Sequence, residues 1–174
     1  LQDSRINLVQ GGVTRSDSVL AGLTELSDKA EYADWILVHD AARPCVTSQE
    51  VTKLIDIVSR SNVGGILAHP IMDTVKRTDE DGLVIETIER NGLWRALTPQ
   101  MFPFGPLYEA LSDAKTSNFV PTDEAAAMER MGYSVQLISG LATNVKITVP
   151  SDIEFARLVL TSSKFAHVSV SELD

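Results

Sequence analysis

Apolar residues in this chain fall into short unbroken runs and into longer stretches with helical spacing. Trp35-Ile36-Leu37-Val38 is an unbroken run, too short for a helix and rich in β-branched side chains. It predicts a strand buried on both faces, as in the middle of a parallel sheet. Ile66-Leu67-Ala68, after Gly64-Gly65, is a second such run, and Ile6 to Val9 a third that feeds the Gln10-Gly11-Gly12 turn. Between them, Val19, Leu20, Leu23 and Leu26 recur with helical spacing behind Ser16 or Asp17, either of which suits a helix cap. Thr47 and Glu50 make a capping box for a second helix through Val51, Leu54, Ile55 and Val58. This alternation predicts an α/β fold with a doubly wound, mostly parallel sheet. Right-handed crossovers then bring the Gly12 turn, Asp40 and Asp73 to one edge of it.

From Asp73 the pattern changes. Thr74 to Thr78 and Leu83 to Ile88 are β-rich runs joined by Asp79-Glu80-Asp81-Gly82, a hairpin signal. A two-stranded hairpin is marginal alone in water, so this one is expected to lie against the domain or a second subunit. Glu89 to Trp94 closes the excursion, and Leu97-Thr98-Pro99-Gln100 returns the chain to the core. A short helix is expected from Leu107 to Ala114, and a clearer one from Ala125 to Met131, capped by Thr122-Asp123-Glu124 and stopped by Gly132. Tyr133 to Ile138 and Asn144 to Thr148 read as strands. Pro150 and Ser151-Asp152 open the last helix, and the polar tail after Lys164 is expected to fray.

Composition narrows the setting. The 174 residues, 44% of them hydrophobic, suffice for one domain with a substantial core. No apolar run approaches the roughly 20 residues of a membrane span, and Leu1 to Arg5 has no signal-peptide character. The net charge of −9 argues against a nucleic-acid partner. Cys45, the single cysteine, excludes an internal disulfide and fits a reducing cytoplasm. A lone cysteine is more often a small hydrophobe than a nucleophile.

In an open α/β sheet, ligands sit beyond the carboxyl ends of the strands. The Trp35–Val38 run ends in His39-Asp40-Ala41-Ala42-Arg43-Pro44. A carboxylate, two small residues and a guanidinium there suit a phosphate-bearing substrate. Asp40 would hold a metal or a hydroxyl and Arg43 would grip phosphate. In the plainer alternative, Asp40 caps the loop and Arg43 pairs with a surface acid. Thr74, Arg90, Thr98, Thr122, Asp123 and Lys146 complete a set that points to phosphate handling, although Lys146 within a strand would also fit a lysine whose head reaches out to water. Ser18 and His39 lack the context of a nucleophile elbow. His39, His69 and His167 are isolated from one another and from Cys45, which disfavours zinc. His39 and His69, at strand ends, read as packing or hydrogen-bonding residues.

Taken together, these segments resemble one family. Gly11-Gly12 with Arg15, Asp17-Ser18-Val19, Val38 to Pro44, and Asp73-Thr74-Val75-Lys76 recur in it in this order. So do Arg90 with Leu93-Trp94, Thr98-Pro99-Gln100, Thr122-Asp123-Glu124, and Asn144 to Thr148 with Pro150 and Asp152. The chain, from about Leu8 to Leu158, is similar to the 2-C-methyl-D-erythritol 4-phosphate cytidylyltransferases of non-mevalonate isoprenoid synthesis. Each motif alone is weak; their order makes the resemblance specific.

The resemblance implies a Rossmann-like nucleotidyltransferase fold over 1–174, with 73–94 as a protruding β-hairpin arm that makes a homodimer. It implies transfer of CMP from CTP to methylerythritol phosphate, with magnesium or another divalent metal. Lys146, Asp40 and Arg90 would be catalytic and Asp40 would hold the metal. Gly12 and Ser18 would contact cytosine, Ala41 would lie near the ribose, and Arg43 would bind methylerythritol phosphate. Thr98, Thr122 and Asp123 would line the acceptor pocket, while Thr74 and Arg90 would reach the partner's site. Two departures stand out: Val13 follows the paired glycines where relatives often carry a polar residue, and no Pro-Ala-Ala-Gly loop for the triphosphate is present. The chain is therefore expected to be an amino-terminally incomplete domain, its own turnover in doubt. A ribitol 5-phosphate acceptor and a non-catalytic dimeric module of the same fold are the alternatives.

Overall fold

In a computed structural model, the fold is described for residue 3 and residues 5–162. The tail after Lys164, and with it His167, lies outside the described residues. The elements follow in the order α1 (Arg15–Leu26), β1 (Trp35–Val38), α2 (Ser48–Ser61), β2 (Gly65–Pro70), β3 (Val75–Thr78), β4 (Val84–Ile88), β5 (Trp94–Pro103), α3 (Phe104–Thr116), α4 (Glu124–Arg130), β6 (Gln136–Ser139) and α5 (Pro150–Thr161).

Four strands form the main sheet in the order β1-β5-β2-β6. β5 runs antiparallel to both β1 and β2, whereas β6 is parallel to β2. Hence β1, β2 and β6 share one direction and β5 alone opposes it. The doubly wound reading holds, with one antiparallel strand inserted between β1 and β2. The expectation that β1 is buried on both faces does not hold. Trp35 to Val38 are only half-buried, and among the described strands β1 pairs with β5 alone.

Period-two alternation along the strands sends neighbouring residues to opposite faces. Ile66 and Phe102 join Leu23, Phe104, Leu107, Leu111 and Met128 in one cluster. Leu67 and Met101 join Leu54, Val58, Leu97 and Ile138 in the other. Thus α1, α3 and α4 cover one side of the sheet and α2 the other. Phe102 is 0% exposed. Phe102→Ala is expected to destabilise the fold by about 3–5 kcal/mol, read as a lowered denaturant midpoint with unchanged m-value.

Local chemistry accounts for most helix ends. Thr47 and Glu50 form the expected capping box of α2. Asp123 caps α4 by accepting from the Ala126 amide. α1 is capped one turn earlier than expected: Thr14 is the cap and Asp17 its reciprocal partner. α3 begins at Phe104 rather than Leu107, with no side-chain cap. Its first amides are instead satisfied by the loop before β1, Phe104 N donating to Asp34 O (2.7 Å) and Gly105 N to Tyr32 O (2.9 Å). That approach is so close that a Cβ on Gly105 would lie 2.1 Å from the Tyr32 ring.

The hairpin forms as expected. Among the described strands β3 and β4 pair only with each other, and Gly82 takes the positive φ of 81° that the turn demands. Leu83, Val84 and Ile85 at its tip are exposed. Two expected strands do not form: among the described residues Ile6–Val9 and Asn144–Thr148 have no ladder partner. Both carry β-forming residues, but composition alone does not place a segment in register beside a strand. Asn144–Thr148 runs instead as a loop anchored by Ile147 N donating to Ala42 O (2.8 Å).

A candidate phosphate-handling site at the end of β1

The β1 strand delivers Asp40 to the sheet edge, where the chain turns at once through an Arg43 N to Asp40 O bond of 2.9 Å. Three cations converge on the Asp40 carboxylate. Arg15 Nε lies 2.8 Å from Oδ1, while Lys146 Nζ at 3.1 Å and Arg43 Nε at 3.5 Å approach Oδ2. The Asp40 side chain is 11% exposed and that of Lys146 42%. The pairs therefore form a half-sheltered cluster with Lys146 on its open side. In a chain of net charge −9 this spot is locally basic.

Burial pushes the Asp40 carboxyl upward, but hydrogen bonds from Arg15 and Lys146 and their charges outweigh it and hold the group below its ordinary value. Burial lowers the Arg43 guanidinium despite the nearby Asp40 charge. Burial also opposes the charge of Arg15, and Glu124 with Asp40 more than offsets it. A depressed folded-state carboxylate stabilises the fold above its ordinary value of 3.8 and loses that contribution as pH falls through the folded-state value. Acid melts should therefore show wild type losing more stability than Asp40→Asn as pH falls from about 5 through the folded-state value of Asp40. Parallel melting curves for the two proteins would contradict this.

A hydrogen-bonded frame holds the loop. Asp40 N donates to Thr98 Oγ1 (3.1 Å), which lies 2.8 Å from His39 Nδ1, and His39 Nε2 sits 3.0 Å from Arg43 O. Arg43 Nη1 donates to Asn144 O at 2.9 Å, and Asn144 Nδ2 to Thr98 O at 2.9 Å. Thr98 and Asn144 are buried. The structure thus places the Thr98 hydroxyl in the frame beneath Asp40. His39 and His69 are hydrogen-bonding residues, as expected, His69 Nδ1 being 3.1 Å from Gly140 O.

The remaining candidates divide among four places. At the Gly12 turn, Gly12 N donates to Ser18 Oγ (3.0 Å) and Ser18 Oγ donates to Thr14 O (3.0 Å). A Cβ on Gly12 would meet Asp17 Cβ at 2.3 Å, which explains the glycine, while Val13 is fully exposed. At the start of α4, Asp123 spends one oxygen on the helix cap and the other on Gln100 Nε2 (2.9 Å). Thr122 and Asp123 line a cleft of about 390 Å³ with Gly92, Trp94, Ala96 and Leu137. Ala41 follows Asp40 in the same turn. Thr74 and Arg90 are exposed at the base of the hairpin, where Arg90 Nη1 donates to Met72 O. Among the described residues no hydrogen bond or ion pair joins either of them to Asp40. The sequence reading gave Glu124, Asn144 and Gln100 no part in the site, because their partners are distant in the chain.

Residues 1–162 match the family of 2-C-methyl-D-erythritol 4-phosphate cytidylyltransferases, IspD. The chain belongs to this family. It is 50% identical over 159 residues to the Pectobacterium atrosepticum member, covering 91% of this chain and 65% of that relative. The Pseudomonas aeruginosa member is 51% identical over 144 residues, covering 82% and 62%. The chain thus spans less than two thirds of the length of these relatives. Among solved structures, Francisella tularensis IspD aligns with a TM-score of 0.84 at 34% identity, covering 91% of this chain and 74% of that one. A 4-diphosphocytidyl-2C-methyl-D-erythritol synthase aligns at 0.79 and 42% identity, covering 87% and 69%. The fold is accordingly the α/β nucleotidyltransferase fold of IspD structures.

Proposed function

We propose that the protein containing this chain transfers CMP from CTP to 2-C-methyl-D-erythritol 4-phosphate and releases pyrophosphate, a step toward isoprenoid precursors. Membership of the IspD family supports this reading, and the observation that carries it is the convergence of Arg15, Arg43 and Lys146 on Asp40 at a strand end. Phosphoryl transfer asks a protein for positioning and charge neutralisation more than for a base. A phosphate oxygen of the acceptor attacks the α-phosphorus of CTP. The bond from that phosphorus to the bridging oxygen breaks, and pyrophosphate leaves with the electron pair.

Lys146, on the open side of the cluster, exchanges Asp40 for the reacting phosphates. Arg43 stays beneath the acceptor phosphate, tied to Asn144 O. Gly12 and Ser18 flank the cytosine and Ala41 lies near the ribose. Thr98, Thr122 and Asp123 shape the acceptor side.

Among the described residues no three His, Cys, Asp or Glu side chains converge as a metal cage. A single carboxylate still fits magnesium, which is usually held by one or two carboxylates together with substrate phosphates. Asp40 would hold such a divalent ion, which when bound would offset triphosphate charge.

We further infer a single domain with 73–94 as its arm. Two copies pair through that arm, so Thr74 and Arg90 of each serve the other's acceptor phosphate. The exposed apolar tip at Leu83, Val84 and Ile85 supports this. Buried, unpaired Cys45 fits a cytoplasmic setting, and no helix among the described residues is long and apolar enough to cross a membrane.

Product analysis by mass spectrometry tests the acceptor. The intact protein with CTP and methylerythritol phosphate should give the CDP-linked methylerythritol. With ribitol 5-phosphate it should give at most a trace. A dominant CDP-ribitol product would overturn the assignment.

A further inference from the structure

Glu124 is the first helical residue of α4 and its side chain is 1% exposed. A buried carboxylate needs a partner, and this one takes both ends of a guanidinium fork. Arg15 Nη1 donates to Oε1 at 2.6 Å and Arg15 Nη2 to Oε2 at 2.9 Å. Held in that way, Arg15 turns its remaining edge nitrogen, Nε, to Asp40 Oδ1 at 2.8 Å.

We infer that Glu124 and Arg15 form a positioning strut that fixes Oδ1 of Asp40 and leaves Oδ2 as the one oxygen offered to the reacting groups. The geometry is specific to arginine. Only a planar fork donates bidentately to one carboxylate while its third donor reaches another. The strut also joins the two halves of the site. Arg15 opens α1, next to the Gly12 turn on the nucleotide side. Glu124 opens α4 beside Thr122 and Asp123 on the acceptor side. Asp40 lies at the joint, so loosening the strut misaligns donor and acceptor without removing a substrate contact.

The expected consequence for turnover rests on the proposed cytidylyl transfer; the strut itself does not. Glu124→Gln keeps the volume and one acceptor oxygen but loses the charge that holds the fork. In the intact protein it should lower kcat by roughly 10–100-fold, the scale of a small misplacement of reacting groups, with KM for either substrate changed less than about threefold. Arg15→Lys should not restore the rate, because an ammonium cannot make the paired contact. The second readout is nuclear magnetic resonance of arginine Nε–H groups. A protected Arg15 Nε–H signal, assigned by its loss in Asp40→Asn, should disappear or exchange rapidly in Glu124→Gln.

Persistence of that protected signal in Glu124→Gln would overturn the strut. So would an unchanged kcat per folded molecule in a Glu124→Gln protein that merely melts lower. If wild type fails to turn over CTP, the cytidylyltransferase reading fails, while the resonance readout still decides the strut.

Discussion

Lys146→Ala should reduce turnover of CTP by about a hundredfold or more while leaving the fold intact. A positive charge aimed at a transition state that accumulates negative charge is worth roughly 3 kcal/mol or more. The ammonium of Lys146 lies 3.1 Å from Asp40 Oδ2, on the exposed side of the cluster. Its backbone belongs to a loop held independently of the side chain, by Ile147 N to Ala42 O and by buried Asn144. Removing a half-exposed lysine therefore forfeits little stability. The result to look for is an unchanged melting temperature, within a degree or two, beside a collapsed kcat. Near-normal turnover would remove Lys146 from the chemistry.

The second large effect concerns Arg90. Arg90→Ala and Asp40→Ala proteins should each be inactive, and mixing them should restore part of the activity. Arg90 lies two residues beyond the end of β4 and is exposed, so it travels with a hairpin whose strands, among those described, pair only with each other. Such a hairpin is marginal unless it packs on something. A twofold pairing is self-complementary, so each arm would reach the other copy. In a mixed dimer, one of the two sites then contains both an intact Asp40 and an intact Arg90. Arginine suits the task because its fork grips phosphate and keeps its charge. Mixed dimers that form, by mass measurement, yet stay as inactive as their parents would place Arg90 in its own subunit's site or outside the chemistry.

What was legible in the sequence was local. The Thr47–Glu50 box, the Asp123 cap and the Asp79–Gly82 turn act over a few residues, and each appears where the pattern put it. Asp40 and Arg43 stood out as candidates because charged residues after an apolar run mark a strand end, whereas Lys146 was read within an expected strand and comes to Asp40 from a loop. Segments whose structure depends on a distant neighbour were not legible. Asn144–Thr148 has the composition of a strand but runs as a loop with no ladder partner among the described residues, tied instead to Ala42 just after β1. The insertion of β5 between β1 and β2 is a long-range choice of the same kind. Glu124 is the sharpest case. In sequence it is a first-turn acid that suits the helix dipole; in the fold it is a buried partner of Arg15, 109 residues away.

The most direct test of the whole account is pyrophosphate release by the intact protein, supplied with CTP, methylerythritol phosphate and a divalent cation. Steady release is expected, requiring both substrates and yielding one CDP-linked alcohol per pyrophosphate. Release from CTP at the same rate without the acceptor, or no release with both substrates present and the protein folded, would contradict it.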